Sequence, residues 1–239
     1  MSSASKLRLG PSVPPSELAK IRRYLHLNCN KWDTQVGDTS VICEQALIIP
    51  AEEWTWMCRS AEQLAEETIR AEATLLEAGE KSNVLGMPSS LWQVLFSKKA
   101  PKHQSMSTTR AMRFDFHPTS EGWRVSEINS DVPGGWTEAT ELPKLYRQFY
   151  EGMSLPSSPL DAWSDSMQRH TDGGRVALLS APGFLEDQQV IFAFMRRLES
   201  CNIPCSVIQQ PNALKWRTDG CCALRRTGHL SGLWCAFFN

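Results

Sequence analysis

The chain has 239 residues, 41% of them apolar and 21% charged, with a formal charge of -1. That balance suits an ordinary globular protein of one large or two small domains. It excludes a global electrostatic pull on nucleic acid or an anionic membrane, and no run of about 18 apolar residues is present to cross a bilayer.

The opening MSSASKLRLGPSVPPSE lacks the apolar core of a secretory signal, so residues 1–15 read as a flexible arm. Without an export signal, the eight cysteines are expected as reduced thiols in a cytoplasm. Cys201 and Cys205 are four apart and Cys221 and Cys222 adjacent, so no CxxC pair marks a zinc site. Scattered, mostly buried thiols fit that spacing better.

Residues 16–26, SELAKIRRYLH, predict a short helix capped by Ser16. Pro50 with Glu52 and Glu53 then marks a second helix start, because proline is tolerated there and carboxylates suit the positive end. That helix is expected over about 51–79. Trp54, Met57, Cys58, Ala61, Leu64, Ala65, Thr68, Ile69, Leu75 and Leu76 recur at spacings of three and four and predict a core-facing stripe. The stripe is not a strict heptad, which argues against a coiled coil. GMPSSLWQVLFSKKAP predicts a further short helix, capped near Ser89 or Ser90 and ended by Lys98 and Lys99.

AMRFDFH and GWRVSEIN alternate in character on either side of PTSEG, the signature of a β-hairpin. Alternation at period two projects Arg113 with Asp115 on one strand, and Glu127 with Asn129 on the other. A turn near Ser120 brings Arg113 and Asp115 opposite residues 125–127, so that the four polar residues converge on one sheet face. SDVPGG then bends into a helix that Trp136 anchors. A short helix is expected near Leu160–His170, and a boundary near 172.

RVALLSA, LEDQQVIFAFMRRLES and IPCSVIQ read as strand, helix and strand, a parallel βαβ unit. SAPG, at the first strand's end, lies where open α/β sheets bind ligands. One such unit cannot bury both faces of its sheet. The ending CCALRRTGHLSGLWCAFFN shows no clear periodicity, so residues 219–239 are expected to be an irregular, aberrant tail of a truncated product. Glu186 and Asp187 are accounted for by the helix dipole. His103, His117 and His170 read as surface histidines.

Asp115, Glu127 and Asn129 are all oxygen donors, the set that Mg²⁺ prefers when it shares ligands with nucleotide phosphates. Arg113 beside them suits a two-pronged grip on phosphate or carboxylate, and the set suits the anionic transition state of phosphoryl transfer. A salt-bridged hairpin uses the same residues, and the pattern alone does not choose between the two.

RFDF…EINSDVPGG resembles the R-F-D … E-x-N-x-D-x-P signature of the glutathionylspermidine synthase family. The upstream helix and VALLSAPGFLEDQQV extend the resemblance over roughly residues 20–218. It implies an α/β fold: a helical N-terminal region, a hairpin carrying the acidic site over residues 16–171, and an incomplete βαβ, pre-ATP-grasp-like lobe over residues 172–218. The implied activity is that of a circularly permuted ATP-grasp ligase, joining small-molecule acid and amine substrates with ATP and Mg²⁺. Arg113 would take the reacting phosphate or carboxylate; Asp115, Glu127 and Asn129 would hold Mg²⁺; Ser130 with Gly134 and Gly135 would face the cofactor. Two departures stand out. Gly134 and Gly135 replace the family's small hydroxyl residues after the proline, which fits a turn or an anion-facing backbone. No ATP-clamping lysine is assignable beyond the loose candidates Lys98 and Lys99. The alternative is a non-catalytic remnant or binding module without the ATP lobe.

Overall fold

The computed structural model describes residues 7–79, 85–95, 110–130, 133–171, 174–180, 183–216, 222–224, 228–229 and 232–236. In chain order these form β1 (Arg8–Leu9), α1 (Pro15–Cys29), β2 (Gln35–Val36), β3 (Thr39–Ser40), β4 (Leu47–Ile48), α2 (Ala51–Ala78), α3 (Ser89–Leu95), β5 (Arg113–Thr119), β6 (Gly122–Asn129), α4 (Trp136–Arg147), α5 (Pro159–Thr171), β7 (Val176–Ser180), α6 (Leu185–Ser200), β8 (Cys205–Ile208), β9 (Leu214–Trp216), β10 (Cys222–Leu224), β11 (Gly228–His229) and β12 (Gly232–Ala236). The fold is α/β, as expected. Its residues gather into two units, one built on Ile49–Ile128 and the other joining Lys6–Ile48 to Asn129–Asn239. The boundary expected near 172 therefore lies inside the second unit. None of the described helices is long and apolar enough to cross a membrane.

The second unit is organised by a parallel sheet of order β12-β7-β8. Val176 pairs with Cys205 on one side and with Gly232 on the other. A central strand is covered on both faces, which is why RVALLSA runs apolar without alternating. Val176, Ala177, Leu178 and Ser180 are wholly buried. Between β7 and β8 runs α6, giving the predicted βαβ unit, and its Val190, Ile191, Phe194 and Leu198 are buried. The chain's last described residues correct the expectation of an irregular tail. The two-stranded unit leaves one edge of β7 open, and Gly232–Ala236 pairs along it.

The N-terminal arm is corrected as well. From Arg8 it pairs with β4, Arg8 opposite Ile48 and Leu9 opposite Leu47. Val13 is buried in a cluster with Leu18, Ile21, Leu25, Ile42, Tyr146 and Tyr150. The Tyr150 hydroxyl donates to the Pro11 carbonyl at 2.7 Å and accepts from the Ala46 amide at 2.9 Å. Helix α1 starts without the expected Ser16 cap. Pro14 is the residue before its first turn and Pro15 opens it, with φ already set for a helix.

In the first unit, α2 matches its predicted span. Its stripe is present, with Met57, Ala61, Leu64, Ala65, Thr68, Ile69, Leu75 and Leu76 half-buried, but no residue of α2 is fully buried. Trp54 and Cys58, expected on the stripe, are exposed. Helix α3 forms at the predicted place; Lys98 and Lys99 lie outside the described residues. The hairpin pairs β5 with β6 around a turn at Ser120 and Glu121.

Candidate functional site

The hairpin brings together the arginine and the acids that the sequence singled out. Arg113 grips Asp115 with two prongs, Nε to Oδ1 at 2.8 Å and Nη2 to Oδ2 at 3.1 Å. The same Nη2 lies 3.9 Å from Glu127 Oε1. The hydrogen bond from Arg113 holds the Asp115 carboxyl below the ordinary carboxylate range, against a small opposing effect of burial. In return, the bond to Asp115 raises the guanidinium's pKa further. Asp115 is therefore an anion at neutral pH. The side chains of Arg113, Asp115 and Glu127 are 41%, 34% and 59% exposed, so solvent screens the group.

Contacts around the hairpin sort these residues by face. Phe116 meets the Trp56 ring edge-on at 6.2 Å, and Trp123 Nε1 donates to Glu53 at 2.8 Å. Phe116 and Trp123 both thus reach α2. The Ser126 hydroxyl shares a hydrogen bond with His117 Nε2 at 2.7 Å. Alternation then puts Glu127 and Asn129 with Trp123, and Arg113, Asp115 and His117 with Ser126. The expected convergence of all four on one sheet face is corrected: they divide between the two faces, and the long Arg113 side chain reaches toward both acids. The cause is the tight turn at Ser120 and Glu121, because a one-residue difference in pairing exchanges the faces of an entire strand. Asn129, the last residue of β6, belongs to the second unit.

Ser130 is exposed, and Asp131 lies outside the described residues. Gly135 adopts φ +85° immediately before α4, a conformation that favours glycine. It makes the turn into the helix, and Gly134 precedes it half-buried. Trp136 anchors that start. Its Nε1 donates to the Pro133 carbonyl at 2.6 Å, and its ring packs edge-on against Phe194 at 4.8 Å.

The first turn of α4 also carries a charged cluster that no sequence signal marks. Lys31, only 5% exposed, donates to Asp33 at 2.7 Å and to Glu138 at 2.5 Å. Gln189 reaches the same Glu138 oxygen at 3.3 Å, while Glu138 Oε2 is buried without a partner. Burial works against the charge on Lys31, but hydrogen bonds to Asp33 and Glu138 outweigh it and raise its pKa. Lys31 and Glu138 are 107 positions apart, and a glutamate in a first helical turn is already explained by the dipole. A lysine flanked by asparagine and tryptophan carries no signal either.

Among the described residues, no three His, Cys, Asp or Glu side chains group as a metal site. Cys29, Cys43, Cys58, Cys201 and Cys205 are free thiols, and Cys29 alone of these five is buried, in contrast to the mostly buried thiols expected. His103 lies outside the described residues.

No protein-family model matches the chain, and no curated protein matches it. Among solved structures it is similar to a glutathione synthetase-like effector from Globodera pallida, solved in its apo form. The identity is 14% and the TM-score 0.59. The match covers 94% of this chain and 59% of that one, so the chain spans well under two thirds of the neighbour's length. The two share a fold.

Proposed function

We propose that this chain carries out, or derives from a protein that carries out, ATP- and Mg²⁺-dependent joining of a small-molecule carboxylate to an amine, on an ATP-grasp-related scaffold. The observation that carries the reading is the Arg113–Asp115–Glu127 group, in a chain that shares its fold with a glutathione synthetase-like protein. The R-F-D … E-x-N spacing supports the glutathionylspermidine synthase-like form of that chemistry.

By donor type the set suits Mg²⁺: Asp115 on one hairpin face, and Glu127 with Asn129 on the other, offer hard oxygen donors, and Asp115 is held ionised, the form a ligand needs. Bound Mg²⁺ would supply positive charge to nucleotide phosphates. Arg113 would orient and neutralise a phosphate or carboxylate through its planar fork. That role requires it to exchange Asp115 for the substrate anion. Ser130 with the backbone of Gly134 and Gly135 would contact the cofactor at the entry to α4. The five free thiols support a reducing, cytoplasmic setting.

A second reading rests on the two-pronged Arg113–Asp115 pair itself, which already satisfies both partners as a scaffold would. Calorimetric titration with ADP and Mg²⁺, run on the wild type and Glu127→Gln, separates the two. The ligase reading expects Mg²⁺-dependent binding that weakens by about tenfold or more in the variant. Absence of binding in both proteins overturns it and leaves a non-catalytic hairpin.

A further inference from the structure

The second unit holds a cleft of about 230 Å³ among α1, α4, α5 and α6 that the hairpin chemistry does not use. Its charges are contributed by Glu141, Lys144, Asp161, Arg196 and Arg197. Two pairs are closed: Lys144 donates to Glu141 at 3.0 Å, and Arg197 Nε lies 3.2 Å from Asp161. Three cations face two carboxylates, so one positive charge is left over. It sits on Arg196, which among the described residues makes no ion pair. Its guanidinium lies 5.8 Å from the centre of the Phe192 ring and spends one N–H on the Asn28 carbonyl.

A second observation comes from the cleft wall. Thr140 is 4% exposed, and its hydroxyl is buried without a hydrogen-bond partner. A buried hydroxyl without a partner forfeits its hydration with nothing in return, and the surrounding helices offer this one no partner. The other protic groups here are neutral: burial above all raises the Tyr24 phenol and pushes the Cys29 thiol up to about 11. The cleft therefore combines one spare cation, one unsatisfied hydroxyl and the apolar walls of Leu160, Phe192 and Ala193. Its volume equals that of roughly seven or eight waters.

We propose that this cleft binds a small carboxylate anion of amino-acid size, its carboxylate on Arg196 and a second polar group on Thr140. A molecule with one net negative charge neutralises the surplus on Arg196. One that also carries an ammonium matches the mixed lining.

L-glutamate and L-glutamine serve as probes, titrated into the full chain and followed by NMR shifts and thermal unfolding. Expected is saturable binding of L-glutamate in the millimolar range, tighter than that of L-glutamine, with a raised Tm. Arg196→Gln weakens it by about tenfold, the loss of one charge-assisted contact. Thr140→Val keeps the volume, leaves the probe-free Tm unchanged or higher, and weakens binding about threefold. Because Thr140→Val removes an unpartnered group, it folds even if Arg196→Gln does not. No saturable response at about 10 mM probe, equal binding of the two probes, or full binding by Thr140→Val overturns the proposal. None of these results bears on the hairpin reading, which is tested by Glu127→Gln.

Discussion

The two units treat their apolar residues differently. In the second, β7 hides all its apolar residues and α6 buries one face, Val190, Ile191, Phe194 and Leu198, and Phe194 stacks on Trp163 with ring centres 4.1 Å apart while meeting Trp136 edge-on. In the first, the 28-residue α2 hides nothing fully, and Trp92 is the one buried apolar side chain among its unit's described residues. A helix can thus carry a stripe of the right period while its unit covers that stripe only in part. Period reports which face turns inward, and burial depends on what arrives to meet it.

Substitutions test this difference. Phe194→Ala should cost about 3–5 kcal/mol, the value for a fully enclosed aromatic. Leu64→Ala, on the half-covered stripe of α2, should cost about 1 kcal/mol. Urea midpoints of both variants check the ratio. Equal losses would break the comparison, because Leu64 would then be as enclosed as Phe194.

Gly10→Ala sharpens it at a place that the sequence marked as a free arm. A Cβ at Gly10 would lie 2.1 Å from Tyr150 Cε1. Tyr150 cannot withdraw without losing its bonds to Pro11 and Ala46. The expected destabilisation is about 1–3 kcal/mol, as for an overpacked core. An unchanged Tm would restore the reading of a flexible arm.

Much of the architecture was legible because each long element carries its own local signal. Pro50 with Glu52 and Glu53 marked the start of α2, alternation marked β5 and β6, and the unbroken apolar run of β7 matched its place between two strands. Short pairings were not legible. Two residues, Arg8 and Leu9, hold no period, and what pairs them with β4 is the docking of Val13 and Tyr150 nearby. Similarly, Gly232–Ala236 becomes a strand because β7 has an open edge, a fact external to those five residues. At the candidate site, the chemistry of Arg113, Asp115 and Glu127 was readable but their distribution was not, since a two-residue turn decides which face each strand presents. Lys31 and Glu138 meet across 107 positions, which no local pattern encodes.

The smallest effect is expected at the hairpin. Asp115→Asn removes the acceptor of both Arg113 prongs, yet the pair is a third or more exposed, so the stability loss should fall at about 0–1 kcal/mol. Its pH dependence has a definite sign. The folded pKa of Asp115 is lowered below its ordinary value of 3.8. The stabilisation is therefore present above about pH 4 and fades as pH falls through the lower, folded value. Wild type and variant should converge in Tm under acid and separate slightly near neutrality. A loss of several kcal/mol at pH 7 would mean that the pair is sealed from solvent, and the first unit would then have a polar core where its apolar one is thin. A loss below about 1 kcal/mol leaves Asp115 nearly free to change partners, which is what a carboxylate must do if it is to exchange an arginine for a metal ion.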